Sequence, residues 1–139
     1  MSGTDKLESM FADQHEYMQM LREHRSFPDY PVDLTSKDGQ KLVKSISYEC
    51  ADELCEARQL LKNSKSHRAA DIRTFDRDDY IEELTDALHY MIEIALVSGI
   101  SVEELYTAYM KKGKTSNESY LGINDQCIVQ SYHEIGMVH

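Results

Sequence analysis

Two acidic stretches constrain this chain more than any other feature: Asp52-Glu53-Leu54-Cys55-Glu56 and Glu82-Glu83-Leu84-Thr85-Asp86. Each lies where apolar residues recur at helical spacing, and each carries carboxylates three residues apart. At ~100° per residue, such a pair projects from one helix face with its members about 60° apart. Like charges on one face destabilise a bare helix. Two such helices packed together call for a compensating cation. Ligand sets made only of carboxylates suit the hard, oxygen-preferring ions Mg²⁺ and Mn²⁺.

Helical periodicity covers most of the chain. Leu7, Phe11, Met18 and Leu21 form an apolar stripe from about Asp5 to Arg25, with Thr4 as the expected cap. Gln14 interrupts that stripe on the same face. It reads either as a partly exposed boundary amide or as a side chain aimed into a pocket, with donors and an acceptor to read a base. Pro28 and Pro31 then break the chain, and Thr35 and Ser36 are suitable caps for a second helix. That helix is expected from about Lys37 to Leu61, with Gly39 a weak point in its first turn. Leu42, Ile46, Cys50, Leu54, Ala57 and Leu61 form its core stripe, and Glu49, Asp52, Glu53 and Glu56 its acidic face.

A polar connection follows, carrying Lys62, Lys65, His67, Arg68 and Arg73. Its charges either face solvent or hold phosphate oxygens opposite a metal. Asp76 caps a third helix with a core stripe of Ile81, Leu84, Leu88, Ile92 and Ala95, and Gly99 ends it. Ser101 and Glu104 make a capping box for a fourth helix, which Gly113 is expected to stop near Lys112. Residues 114–139 have little periodicity and read as an irregular tail. The expectation is an all-α, four-helix bundle-like single domain over 1–139, the acidic faces of its second and third helices turned towards each other.

Charge narrows the partners. Fifteen basic residues against 25 acidic ones give a net charge of −10, which repels nucleic acid polymers and anionic membranes. A small polyphosphate can still bind where metal ions bridge it to carboxylates. No apolar run approaches the ~18 residues of a membrane span. The opening Met1-Ser2-Gly3-Thr4-Asp5 lacks the regions of a secretory signal, and the expected location is cytoplasmic. The cysteines, three in number, lack metal-site spacing and read as reduced thiols.

Together these pieces resemble a known family. An ExxE pair, some two dozen residues, then ExxD on the next helix is the signature of the all-α nucleoside triphosphate pyrophosphatases. Here it reads Glu53-Leu54-Cys55-Glu56, then Glu83-Leu84-Thr85-Asp86. The superfamily includes MazG-like enzymes, dimeric all-α dUTPases and dCTP pyrophosphatases. Asp86-Ala87-Leu88-His89-Tyr90 looks most like the dUTPase branch, which follows its Asp with a His and an aromatic. Leu61-Lys62-Asn63-Ser64-Lys65 is similar to the family's lysine-bearing stretch. Tyr109-Met110-Lys111-Lys112 with Asn117 and Tyr120 resembles its phosphate-gripping C-terminal region. Phe11-Ala12-Asp13-Gln14 resembles a stretch with a nucleotide-contacting Gln.

The resemblance implies a homodimer or higher homo-oligomer that converts a dNTP, dUTP or dCTP first, to the monophosphate and pyrophosphate. Glu53, Glu56, Glu83 and Asp86 would hold Mg²⁺, with Mn²⁺ as an alternative. Glu53 or Glu49 would accept the proton of the attacking water. Gln14, Lys62, Lys65, His89, Tyr90, Lys112, Asn117 and Tyr120 would contact the substrate. Two departures leave the base open: Asn117 is followed by Glu118-Ser119-Tyr120 where the dUTPase branch has an Arg, and the chain has no Trp. Broad or purine dNTP specificity is the alternative. Glu49 and Asp52 offer a rival acidic pair on nearly the same face.

Two readings of other classes compete. One is a non-enzymatic helical interaction protein with solvated acidic faces. The other is a carboxylate-bridged di-iron bundle, suggested by Asp86-x-x-His89. That architecture needs two acid-x-x-His elements, and no second one falls on an expected metal helix.

Overall fold

The computed structural model describes residues 5–62, 67 and 75–121, which form four helices and no strand. They are α1 (Lys6–Arg25), α2 (Lys37–Gln59), α3 (Arg77–Val97) and α4 (Val102–Tyr120). The fold is all-α, as the periodicity predicts. Helices α1 to α3 belong to one compact unit ending at Ser101, and α4 to a second beginning at Val102. Thr4, Lys65, Arg68, Arg73 and the tail beyond 121 lie outside the described residues.

Local chemistry sets the helix ends. Asp5 caps α1, its carboxylate accepting from the Leu7 and Glu8 amides; the capping role expected of Thr4 falls to Asp5. Ser36 caps α2 through the Gly39 amide at 3.0 Å, and Asp76 caps α3 through that of Asp79 at 3.1 Å. At the end of α3, the Gly99 amide donates to the Leu96 carbonyl and that of Ile100 to the Ala95 carbonyl. This pair of bonds requires a residue in the left-handed region, which Gly99 supplies with φ 73°.

The core of the first unit joins one residue from each of its helices: Met18, Ile46 and Val97. Met18 and Val97 are fully buried, each contributing about 1.5–3 kcal/mol by the usual burial scale. Phe27, Tyr30 and Val32, from the segment between α1 and α2, pack against them. That segment is pinned at both ends. The Tyr30 hydroxyl accepts from Gln19 Nε2 and hydrogen-bonds His15 Nδ1, each at 2.9 Å, while the Val32 amide donates to the Val97 carbonyl at 2.8 Å. Small residues, Cys50 and Ala57 of α2 and Ala87 of α3, are buried beside Ile46 and Ile92, and the Cys50 thiol donates to the Ala87 carbonyl at 3.3 Å.

Three expectations need correction. Leu54, Leu61, Ile81, Leu84 and Leu88, read as core, are 40–49% exposed. Ile92 and Ala95, further along the same stripe of α3, are buried, so the stripe is covered over only part of its length. Gly39 is no weak point: a Cβ there would collide with the Asp33 carbonyl oxygen and come within 2.9 Å of Ser36 Oγ. Helix α4 does not stop at Lys112 but passes Gly113 and runs to Tyr120. Glycine lowers helix propensity without forbidding it, and the Thr115 and Ser116 hydroxyls bond back to the Lys111 and Lys112 carbonyls.

Gly39→Ala should therefore destabilise the fold by about 1–3 kcal/mol, against the gain that helix propensity alone would give. Urea denaturation at neutral pH measures it.

Candidate functional site

The carboxylates come together where α2 and α3 face each other. Oxygens of Glu53, Glu56 and Glu83 all lie within 4.8 Å of one another. Glu53 and Glu83 are half-buried and Glu56 is exposed. Asp86, one turn beyond Glu83, falls outside this trio but is close enough for its charge to act on both Glu53 and Glu83. Glu49, one turn before Glu53, is also outside it, and its charge reaches Glu53, Tyr90 and Glu93. The rival residue Asp52 is exposed and does not join the trio.

Crowding shifts these acids. Partial burial, then repulsion from Glu56 and Asp86, raises the Glu53 pKa, while a hydrogen bond with Glu83 opposes the rise. Glu83 is raised by burial and by Glu56, through both charge and a hydrogen bond. Without a cation, Glu53 and Glu83 therefore retain protons more readily than isolated glutamates. The ion pairs among the described residues, Arg22–Asp29 and Lys114–Glu118, give the trio no basic partner. Its chemistry fits a hard divalent ion. An octahedral Mg²⁺ site with ~2.1 Å bonds spans about 4.2 Å between opposite oxygens. No pair of the three oxygens is further apart than 4.8 Å, so small side-chain adjustments bring them to that range.

Beside the trio a cleft of about 1110 Å³ opens between α1 and the α2–α3 pair. This is at or above the upper end of the ~300–1,000 Å³ usual for small-molecule sites. Glu53 and Asp86 stand on its wall with Gln14, Tyr17, His89, Tyr90 and Glu93. Gln14 is 5% exposed, too buried for the boundary-amide reading, and its Oε1 lies 2.9 Å from His89 Nδ1. His89 thus pairs with an amide through Nδ1 and is not among the three clustered carboxylates.

Lys62 is exposed just beyond α2 and does not line the cleft. Lys112, Asn117 and Tyr120 are exposed on α4, in the second unit. Lys65 is outside the described residues.

The sequence pattern did not single out Glu93. Its half-buried carboxyl lines the cleft and is raised by burial and by Glu49. Helical arithmetic carried the signal, since Glu93 follows Asp86 by seven residues, two turns along one face. Comparison with protein-family models, curated proteins and solved structures finds no match.

Raised carboxyls tie stability to pH. A folded-state pKa above the ordinary value of 4.5 means that the native chain binds more protons than the unfolded one. This contribution is fully present below that value and is lost as pH rises through the folded pKa. The net charge of −10 acts in the same direction. Without divalent ions, Tm should be higher at about pH 5.5 than at about pH 7.5. Glu83→Gln should raise Tm at the higher pH and flatten the difference. Calorimetric scans in chelator test both.

Proposed function

We propose that the chain is a divalent-metal-dependent nucleoside triphosphate pyrophosphohydrolase of the all-α pyrophosphatase kind, acting on a pyrimidine deoxynucleotide, dUTP or dCTP, to give the monophosphate and pyrophosphate. One observation carries this reading: an unneutralised carboxylate trio beside a cleft of nucleotide size that also holds a buried amide and an aromatic ring. The acidic pairs that resemble the family signature supply all three residues of the trio, and their fourth member, Asp86, stands on the same cleft wall.

Mg²⁺, or Mn²⁺ in its place, supplies charge screening of the phosphates and acidification of water. Glu53, Glu56 and Glu83 would hold it, with Asp86 at their edge. Glu53 and Glu49 are the candidates to accept the proton of the attacking water, and Glu49 is the one not drawn into the trio. Gln14, His89 and Tyr90 form the wall that would face base and sugar. Lys62, Lys65, Lys112, Asn117 and Tyr120 enter as phosphate and substrate contacts by resemblance alone.

A screen of the common dNTPs and NTPs with Mg²⁺, read as pyrophosphate release, should show turnover of a pyrimidine deoxynucleotide. Glu83→Gln and Asp86→Asn should each lower kcat by about a hundredfold, as expected when charge stabilisation of a few kcal/mol is lost. Near-wild-type turnover in both variants would remove the site assignment. A purine preferred tenfold would leave the chemistry standing and move the specificity to the broad or purine alternative.

The exposed leucine arc supports a homodimer as part of the same proposal. Leu84, Leu88 and Met91 lie on one face of α3, exposed by 40, 40 and 57%, with Leu54 of α2 exposed by 49%. Clustered apolar exposure of this kind marks association surfaces. Sedimentation at micromolar concentration should give a dimer or larger species, and Leu88→Glu should shift it towards monomer.

A further inference from the structure

Gln14 and His89 meet across 75 residues of sequence, and their hydrogen bond restricts what the cleft can accept. The Gln14 side chain lines the cleft although the residue is 5% exposed. Its Oε1 is engaged by His89 Nδ1 at 2.9 Å. An amide oxygen only accepts, so Nδ1 carries the proton in this pair and donates. Among the described residues no buried side-chain nitrogen or oxygen lacks a partner, and Gln14 Nε2 has no hydrogen-bond partner among them. The accessible end of the amide is therefore its NH₂ group, at the cleft surface.

An unrestrained glutamine amide can turn over and offer either end to a ligand. Held at Oε1, it offers donors only. We infer that His89 is a positioning residue that fixes the Gln14 amide with Nε2 towards the cleft, so that the occupant must present a hydrogen-bond acceptor there. Among pyrimidines the 2-oxo group is common to all, whereas position 4 carries an accepting oxygen in uracil and a donating amine in cytosine. Where position 4 of the pyrimidine meets Nε2, the restrained amide selects 4-oxo over 4-amino pyrimidines, because the second case opposes two donors. The choice of nucleotide as ligand rests on the function proposed above; the orientation of the amide does not.

The test has a structural and a functional arm. Long-range ¹H–¹⁵N correlation spectra of the full chain should show His89 protonated at Nδ1. With Mg²⁺, kcat/KM for dUTP should exceed that for dCTP by about tenfold, the scale of one buried group left unpaired. His89→Leu should bring this ratio to within about threefold of unity, chiefly through KM. His89→Asn, whose side-chain NH₂ takes the place of Nδ1–H, should retain it.

A bare Nδ1, or a ratio unmoved in His89→Leu while both substrates lose activity equally, overturns the positioning role and leaves the enzymatic reading intact. If no triphosphate is hydrolysed, binding of dUMP and dCMP by calorimetry decides. Preference for dUMP that His89→Leu removes sustains the positioning role without the enzyme. Equal binding ends it. Should His89→Leu fail to fold, the spectra and the dUTP-to-dCTP ratio of His89→Asn decide between the same outcomes.

Discussion

The contact on which the site depends is a repulsive one. Glu53 and Glu56 of α2 approach Glu83 of α3 closely, with no basic group among the described residues to neutralise them. Left to electrostatics, the two helices would separate there. The small buried residues Cys50, Ala57 and Ala87 let the backbones approach, and the Cys50 thiol ties α2 to a carbonyl of α3. Met18, Ile46 and Val97 add burial that does not depend on pH or ionic strength. Solvent access and partial proton retention soften the opposing charge term. The fold thus tolerates a poorly matched polar cluster because its apolar contacts lie elsewhere on the same helices.

Helix α1 matters as the second wall. It reaches α3 through Gln14 and His89, and it is tied through His15 and Gln19 to Tyr30 in the segment leading to α2. The same segment is fastened to the end of α3 by the Val32–Val97 hydrogen bond. A cleft between elements linked at both levels keeps its polar groups in place before a ligand arrives, which lowers the ordering cost of binding. Its lining sets an amide, an imidazole and a phenol among carboxylates, with Asp86 before and Glu93 after His89 and Tyr90 along α3.

Much of this was legible in the residues. The all-α class, the starts of α2 and α3 at Ser36 and Asp76, and the stop at Gly99 follow from bonds and dihedrals within a few residues. The two acidic pairs were equally plain, because a spacing of three residues sets their common face without reference to the rest of the fold.

Only the packed structure decided the rest. Leu54, Leu84 and Leu88 satisfy the helical period as well as Ile46 does, yet they face outward. Periodicity identifies an apolar arc and cannot say which part of it a neighbour covers. Gly39 resembles a weak point until the Asp33 carbonyl is seen against it. Asp86, equal in the motif to Glu83, stands outside the trio, and Glu93 joins the cleft wall unannounced. Gln14 carried two readings until a histidine 75 residues away engaged its oxygen. Helix-forming preferences, caps and side-chain spacing act over one or two turns and are written in the order of residues. Burial, like-charge contact and the orientation of an amide arise between segments remote in the chain, and only tertiary packing brings those together.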